Sequence, residues 1–299
     1  MLIAMCMGML CMQNDIVQYA DEWIASLRKL KQCKNRPIRA LVSDSEGIHV
    51  MATRFLAPIE PPGHIHQAAQ SSPHHQEAIM LSLLHFVSHI PFLHDGNKLG
   101  GKEDIWTTAS EVMEIGAGDS EEHATILACY FMYLGINTYV LQCIGVREGE
   151  CSYVLTVGGS GVADTQVRIW DPVVGQVHSV TDSTCEIRNV GIAFNQDNIW
   201  ANVQPKGGPW TTSFDFKDVK KWRPFFSPRF PARRLGSIQS PPLYRSQPTP
   251  FFEDLEKQLE KEIMDSISNA RTREKRTFTL FNRRCARFMK VGSGECSSV

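Results

Sequence analysis

The chain has 299 residues, a formal net charge of -1 from 31 lysines and arginines against 32 aspartates and glutamates, and 42% hydrophobic residues. This length is enough for a hydrophobic core and predicts roughly two domains, or one domain with extensions. The balanced charge excludes bulk electrostatic attraction to nucleic acid or anionic lipid. No uninterrupted apolar run reaches the roughly 18 residues that a membrane-spanning helix needs.

Nine cysteines lie at irregular spacing, and no two of them form a Cys-x-x-Cys motif. An odd number with this spacing argues against a disulfide framework or a zinc ribbon and predicts reduced thiols inside the cell. Residues 1–12 are apolar and rich in methionine but lack the basic start of a signal peptide. They are therefore interpreted as the first turns of a helix.

The first half of the chain predicts helices and one hairpin. Extended runs over residues 37–43 and 48–55 flank a turn and predict the hairpin, which a Pro-rich linker follows. Apolar periodicity and capping signals predict the helices. These helices cover residues 10–30, 75–90, 108–115 and 119–134.

The second half changes to short β-rich runs separated by Gly, Asp and Pro, which predict strands. The fold class is therefore α+β, with helices followed by an antiparallel sheet. Residues 224–250 are Pro-rich and predict a linker or an extended strap, and a helix follows over 252–267. The predicted strands cover residues 138–144, 152–157, 167–170, 187–194, 200–204 and 213–216.

Three positions follow the order of a cysteine hydrolase site of the papain and transglutaminase type. Such a site needs a thiol at a helix start, an imidazole on a later strand and an orienting acid on the next strand. This sequence offers Ser120, Cys151 and Asp171 instead. Because the nucleophile and the base are both replaced, the pattern favours a structural role for Ser120 and predicts no catalytic residue.

For several other polar residues, a structural role has to be weighed against a functional one. His123 could approach Ser120 on the helix surface, but a polar contact near the helix start is favoured. Cys129 is predicted to lie in the core. The pairs His64/His66 and His74/His75 lack a further ligand at metal-binding spacing, so a solvated linker is preferred and no metal site is predicted.

Several motifs resemble the transglutaminase-like domain of the coiled-coil and C2 domain-containing protein 2 family, over residues 36–265. A neighbouring centrosomal family shares this domain but keeps a cysteine at the helix start, where this chain has Ser120. The matching motifs are Gly118-Asp119-Ser120-Glu121-Glu122-His123-Ala124, Tyr153-Val154-Leu155-Thr156, Ile169-Trp170-Asp171-Pro172, Asn189-Val190-Gly191, Asp197-Asn198-Ile199-Trp200, Val87-Ser88-His89-Ile90-Pro91-Phe92, Asp104-Ile105-Trp106-Thr107 and, within residues 50–62, Thr53-Arg54-Phe55 and Pro61-Pro62.

The resemblance implies a non-catalytic scaffold of the ciliary transition zone and basal body, located in the cytoplasm and cytoskeleton. Its expected partners are other transition-zone proteins and the membrane periphery, with no nucleic acid, small-molecule substrate or cofactor. Two alternatives stay open. One is an amidohydrolase or peptidase with an altered Ser120/Cys151/Asp171 triad. The other is an adaptor at the membrane periphery that acts through a C2 region outside this sequence and through the basic C-terminal segment 271–290.

The resemblance also implies a C2 domain upstream, and the expected domain organisation follows from it together with the composition. The expected segments are an amphipathic helix or leader (1–35), a hairpin that ends a truncated C2 domain (36–62), an inactive transglutaminase-like domain (63–226), a Pro-rich linker (227–250), C-terminal helices (251–290) and a disordered tail (291–299).

Overall fold

The structure, a computed structural model, describes residues 2–71, 75–94, 104–146, 149–158, 167–232, 235–244, 249–273 and 281. The chain divides into two compact units, Met1–Tyr244 and Arg245–Val299. Among the helices in these ranges, none is both long and apolar enough to cross a membrane.

The four helices predicted in the first half of the chain are confirmed, and α1 includes the apolar start of the chain that was interpreted as its first turns. One further helix, α2, occupies the segment interpreted as a solvated linker, so that interpretation is wrong. The carbonyl of Pro62 accepts from the amides of Ile65 and His66, which starts α2, and Ile65 is buried. The helices of this unit are α1 (Leu2–Arg28), α2 (Gly63–Ser71), α3 (Gln76–Ser88), α4 (Ala109–Ile115) and α5 (Ser120–Tyr133).

The predicted hairpin is formed by β1 (Leu41–Asp44) and β2 (His49–Met51). Asp44 closes its turn by accepting from two backbone amides, those of Glu46 and Ile48. A two-stranded hairpin is marginal alone. Here β1 also pairs in parallel with β3 (Ile105–Trp106), so the hairpin is the outer part of a three-stranded sheet within the first unit.

The remaining strands form one seven-stranded antiparallel sheet in the order β10-β9-β8-β4-β5-β6-β7. The prediction of a strand at residues 213–216 is wrong, and strands β7 and β10 were not predicted. Side chains hold that segment instead, because the Ser213 carbonyl accepts from Gln204 and Trp222. The strands are β4 (Thr138–Gly145), β5 (Glu150–Val157), β6 (Val167–Asp171), β7 (Gln176–Ser179), β8 (Ile187–Phe194), β9 (Ile199–Asn202) and β10 (Trp222–Pro224).

The large sheet has a hydrophobic core on each face. Along β5, Val154 lies in the core that includes helix α5, whereas Tyr153 and Leu155 lie in the second core. This alternation follows from the two-residue period of a strand. Helix α5 therefore covers one face of the central strands, and its first turn lies at the edge of that face, beside the start of β5.

A buried arginine joins the segment after α1 to the sheet. Arg36 is 3% exposed and donates to the Asn189 side chain and to the carbonyls of Asn202 and Gln204, at 2.5 to 3.0 Å. A Cβ atom at Gly191 would lie 2.0 Å from the Pro37 carbonyl oxygen. The motif around Asn189 and Gly191 therefore has a structural role, because the chain at Arg36 and Pro37 packs against β8 at these two residues. We name this contact the Arg36 junction.

Residues 235–244 of the Pro-rich segment form a strap that packs against the rest of the first unit. Ser237 donates to the Arg54 carbonyl, and the Tyr244 hydroxyl donates to the Tyr130 hydroxyl at 2.9 Å. The domain boundaries drawn from the sequence stay a proposal.

In the second unit, a helix predicted at 252–267 is confirmed as α6 (Thr249–Arg273). Most of the basic segment 271–290 and the tail 291–299 lie outside the described residues. The apolar stripe of α6 is exposed at Leu255, Leu259, Ile263 and Ile267.

Candidate functional site

Helix α5 begins with the predicted capping box, which is confirmed. Asp119 Oδ1 accepts from the Glu121 amide at 3.1 Å, and Glu122 Oε2 accepts from the Asp119 amide at 2.8 Å. Glu122 Oε1 also accepts from the Thr107 amide at 3.0 Å. These bonds satisfy orphan donors of the first turn and fix the position of Ser120, its first helical residue.

Three carboxyl groups lie in this first turn. Burial and repulsion by Glu121 and Glu122 raise the pKa of Asp119 to about 11. Burial also raises the pKa of Glu121. A catalytic thiol or hydroxyl at this position needs surroundings that stabilise its anion. A carboxyl cluster has the opposite effect, since a second anion beside it is repelled.

The Ser120 hydroxyl makes two local hydrogen bonds. Its Oγ donates to Glu121 Oε2 at 2.8 Å and accepts from the Ser152 amide at 3.2 Å. The hydroxyl therefore joins the start of α5 to strand β5. This geometry supports the structural role that the sequence favours for Ser120.

The other two positions of the expected triad lie on neighbouring strands. The β5–β6 register pairs Val154 with Trp170, which brings Tyr153 opposite Asp171 and Cys151 diagonal to it. The Cys151 thiol is buried and lies 3.9 Å from the Cys143 carbonyl. Asp171 Oδ1 accepts from two amides of the following turn, at 3.0 and 3.1 Å.

Ser120, Cys151 and Asp171 all line one groove of about 320 Å³. Ser152 and Tyr153 complete its wall on β5. Ser152 is 2% exposed, and its Oγ has no hydrogen-bond partner among the described residues. Burial, with Asp171 and nearby thiols contributing, raises the pKa of Tyr153. The structure thus converges on a polar groove where the sequence placed a degenerate site.

The groove also contains residues that the sequence analysis missed, His178 and Glu186. His178 is 4% exposed, and its Nδ1 lies 2.9 Å from Asp182 Oδ2. Bonds from the amide and hydroxyl of Thr184, and from His178, lower the pKa of Asp182 to about 2. His178 lies on β7, which was not predicted, and a His/Asp pair four residues apart is too common to indicate a site.

Two further candidates have structural positions, as expected. The ring nitrogens of His123 lie 2.5 Å from the Asp119 carbonyl oxygen and 2.9 Å from that of Ile90, so the predicted polar contact near the helix start is confirmed. Cys129 lies in the core, also as predicted, and burial raises its pKa to about 12.

The histidine pairs lie on helix α2, at the residue before α3 and in a segment outside the described residues. His64 and His66 lie on α2, where a ring nitrogen of His66 is 2.6 Å from Gln70 Nε2. His74 falls outside the described residues. Within the described part of the chain, no group of three or more His, Cys, Asp or Glu side chains has a metal-binding arrangement.

The antiparallel sheet, its covering helix and the groove at the helix start define the class of protein. They form a transglutaminase-like, papain-like α+β domain, as the sequence predicted. Residues 104–225 match the family described as the CEP76 peptidase-like domain. This match covers helix α5 and the three positions that the sequence analysis compared with a catalytic triad.

The resemblance to the coiled-coil and C2 domain-containing protein 2 family is confirmed by two relatives. Protein CC2D2B of Homo sapiens is 28% identical over 260 residues, which are 85% of this chain and 17% of that protein. Coiled-coil and C2 domain-containing protein 2A of Drosophila melanogaster is 25% identical over 269 residues, which are 90% of this chain and 19% of that protein. The chain therefore spans less than a fifth of these relatives.

A third relative has a name that states a cellular location. Centrosomal protein of 76 kDa of Homo sapiens is 23% identical over 222 residues, which are 69% of this chain and 31% of that protein. The expected location at the base of the cilium agrees with this centrosomal relative.

Proposed function

We propose that this chain is a non-catalytic scaffold of the ciliary transition zone and basal body. It supports cilium assembly by binding other transition-zone proteins. Its similarity to the coiled-coil and C2 domain-containing protein 2 family and to a centrosomal protein supports this proposal.

The observation that carries the proposal is the state of the groove at Ser120. The hydroxyl proton is directed to the Glu121 carboxylate, and its oxygen is fixed by the Ser152 amide. A buried thiol, Cys151, stands at the expected position of the base. Loss of one triad member already costs several orders of magnitude in rate, so a groove that lacks two members supports binding rather than turnover.

A rescue experiment tests the scaffold function directly. Ciliated cells that lack the protein receive the full chain or a Ser120→Ala/Cys151→Ala double variant at matched abundance. We expect both to reach the base of the cilium and to restore cilia equally. A double variant that is correctly located but restores no cilia would contradict the proposal, and a Leu127→Asp core variant provides the unfolded control.

One observation favours the rival function, an amidohydrolase or peptidase with an altered triad. His178, held by Asp182, lines the same groove and provides an imidazole that the sequence pattern lacks. The full chain is therefore incubated with amide substrates and with a thiol-reactive amide probe. Turnover abolished by Ser120→Ala or His178→Gln, or labelling of Cys151 that substrate-like peptides block, would establish the enzyme.

A further inference from the structure

A long loop connects strands β9 and β10 at one end of the seven-stranded sheet. The two strands are antiparallel neighbours, and Trp222 pairs with Asn202, so the loop of residues 203–221 leaves and re-enters the sheet at the same end. Adjacent antiparallel strands usually need only about 2–5 connecting residues. Loops much longer than this in compact domains often have a function.

Hydrogen bonds join this loop to the segment of residues 28–36 at the end of α1. The Val203 carbonyl accepts from Gln32 Nε2 at 3.0 Å, and the Val203 amide donates to the Lys221 carbonyl at 2.9 Å. The Arg36 junction adds a further contact between the segment and the loop. The loop and the segment therefore form one continuous surface, which we name the lysine surface.

The lysine surface has a local excess of positive charge. Its two segments contain nine lysines and arginines and two acidic residues, although the whole chain has a formal net charge of -1. The acidic residues, Asp215 and Asp218, each accept from a backbone amide of their own turn. Six of the nine cations are exposed, and none of these six forms an ion pair with another described residue. The exposed cations are Lys29, Lys31, Lys34, Lys206, Lys217 and Lys220.

Two exposed apolar side chains lie on the same loop as three of these lysines. Trp210 is 61% exposed and Val219 is 64% exposed. The Trp210 ring lies against Gly208, since a Cβ atom at Gly208 would be 2.9 Å from it. Tryptophan has an apolar body with one polar N–H group and is enriched at the boundary between lipid and water.

We infer that the lysine surface binds an anionic phospholipid bilayer, with its lysines at the headgroups and Trp210 in the interfacial layer. The inference goes beyond the proposed scaffold function, because it places a membrane contact on the transglutaminase-like domain itself. The sequence analysis considered such a contact only for the C2 region and for the basic segment 271–290.

The first argument is the type of cation. Arg28 and Arg36 are used inside the protein, where each donates to backbone carbonyls, whereas the exposed cations are all lysines. A planar guanidinium suits bidentate recognition of one fixed anionic group, and an ammonium acts as a point charge. Several separate point charges suit a layer of mobile anionic headgroups, to which basic segments are attracted.

The second argument is the combination of charge with exposed apolar side chains. An acidic peptide would be attracted by the lysines alone, and a single-stranded nucleic acid would use Trp210 for stacking but not Val219. A bilayer uses all three features, because apolar side chains enter its interfacial layer while cations stay at the headgroups.

Sedimentation of the full chain with lipid vesicles tests the inference. Vesicles of phosphatidylcholine alone are compared with vesicles that also contain phosphatidylserine, at low and at raised ionic strength. We expect the mixed vesicles to bind at least about tenfold more tightly than the neutral ones, and their binding to weaken as salt is added. Equal binding to both vesicles, or binding to neither, would overturn the inference.

A pair of double variants locates the contact. Lys206→Gln/Lys220→Gln removes two exposed charges from the lysine surface and should weaken binding to the mixed vesicles about tenfold or more. The matched control is Lys257→Gln/Lys261→Gln, which removes two exposed lysines from helix α6. Unchanged affinity in the first variant, or equal weakening in both, would overturn the inference, because another region or the net charge would then account for binding.

The depth of Trp210 gives an independent measurement. Brominated acyl chains quench an indole that enters the bilayer. We expect these vesicles to quench the fluorescence of the native chain, and Trp210→Phe to remain bound but lose most of the quenching. Quenching that persists in Trp210→Phe would show that a different tryptophan enters the bilayer and would reject the proposed contact.

Polyglutamate and a single-stranded oligonucleotide test the other classes of anionic partner. If either binds more tightly than the mixed vesicles and depends equally on Lys206 and Lys220, the bilayer is rejected as the partner. Weaker binding of both supports the bilayer. Each of these outcomes leaves the scaffold proposal to the rescue experiment, so the two proposals fail separately.

Discussion

Two buried polar regions of this domain differ in how completely their hydrogen bonds are satisfied. At the Arg36 junction, Nε and both terminal nitrogens of the guanidinium donate to an amide oxygen or a backbone carbonyl. On the α5 face of β5, Ser152 Oγ is enclosed and has no partner among the described residues, and the same is true of Oε1 of Gln142, which lies opposite it on β4. A satisfied network fixes architecture, whereas unsatisfied polar atoms contribute less to defining one packing arrangement.

The largest effect is expected from breaking the satisfied region. Arg36→Met should lower the free energy of unfolding by about 3–5 kcal/mol, because it removes the guanidinium donor of the Gln204 carbonyl and leaves the Asn202 carbonyl with only the Cys33 thiol, 3.6 Å away. Arg39→Met is the matched control. Arg39 is 39% exposed and pairs with Asp104 and Glu150, so its loss should cost less than about 1 kcal/mol. Urea unfolding measures both, and equal losses would contradict the comparison.

The pH dependence of stability tests the carboxyl cluster beside the groove. The folded-state pKa of Asp119, about 11, lies far above the ordinary value of about 3.9 for an unfolded chain. The folded state therefore holds this proton more tightly, and its contribution to stability is lost as the pH rises between those values. The slope is at most about 1.4 kcal/mol per pH unit for one proton.

Asp119→Asn removes this titration and keeps the oxygen that caps the helix. Between pH 6 and pH 9, the difference in unfolding free energy between the variant and the native chain should move in favour of the variant. Urea denaturation at both pH values measures it. A difference that is constant, or that moves in favour of Asp119, would show that the carboxyl group is ionised in the folded protein.

A smaller effect on stability is expected to distinguish Ser120 from Ser152. Ser120→Ala removes an acceptor from the buried Ser152 amide and should cost about 1–3 kcal/mol. Ser152→Ala removes a hydroxyl without a partner among the described residues, so stability should change by less than about 0.5 kcal/mol. Thermal unfolding of the two variants compares them directly. A larger loss in Ser152→Ala would reveal a partner for that hydroxyl.

The smallest effect concerns catalysis. We expect no amidase or transamidase turnover by the native chain, and little by a Ser120→Cys/Cys151→His double variant, although it restores the triad identities beside Asp171. A nucleophile and a base must be positioned to about an ångström, and the carboxyl groups around residue 120 oppose a thiolate. Clear turnover by the native chain, lost in Ser120→Ala, would replace the scaffold proposal by an enzyme.

Short-range signals in the sequence determined much of this protein. The capping boxes at Thr108 and Asp119 are local, because each joins residues three apart. Helical periodicity likewise placed α3 and α5, and β-rich runs placed β4, β5, β6 and β8. The resemblance in motifs then placed Ser120, Cys151 and Asp171 at one site, since the helix start and two adjacent strands bring them together in this fold.

Tertiary structure decided what depends on contacts between distant segments. The chain after Pro62 forms a helix because the Pro62 carbonyl accepts its first hydrogen bonds and because Ile65 is buried in the core. Strand β7 is four residues long and is defined by its pairing with β6. The sequence around His178 therefore has no local pattern that predicts a position in the groove. The unpartnered state of the Ser152 hydroxyl is likewise a property of packing. Burial and partners are set by segments far apart in the chain, which no local pattern encodes.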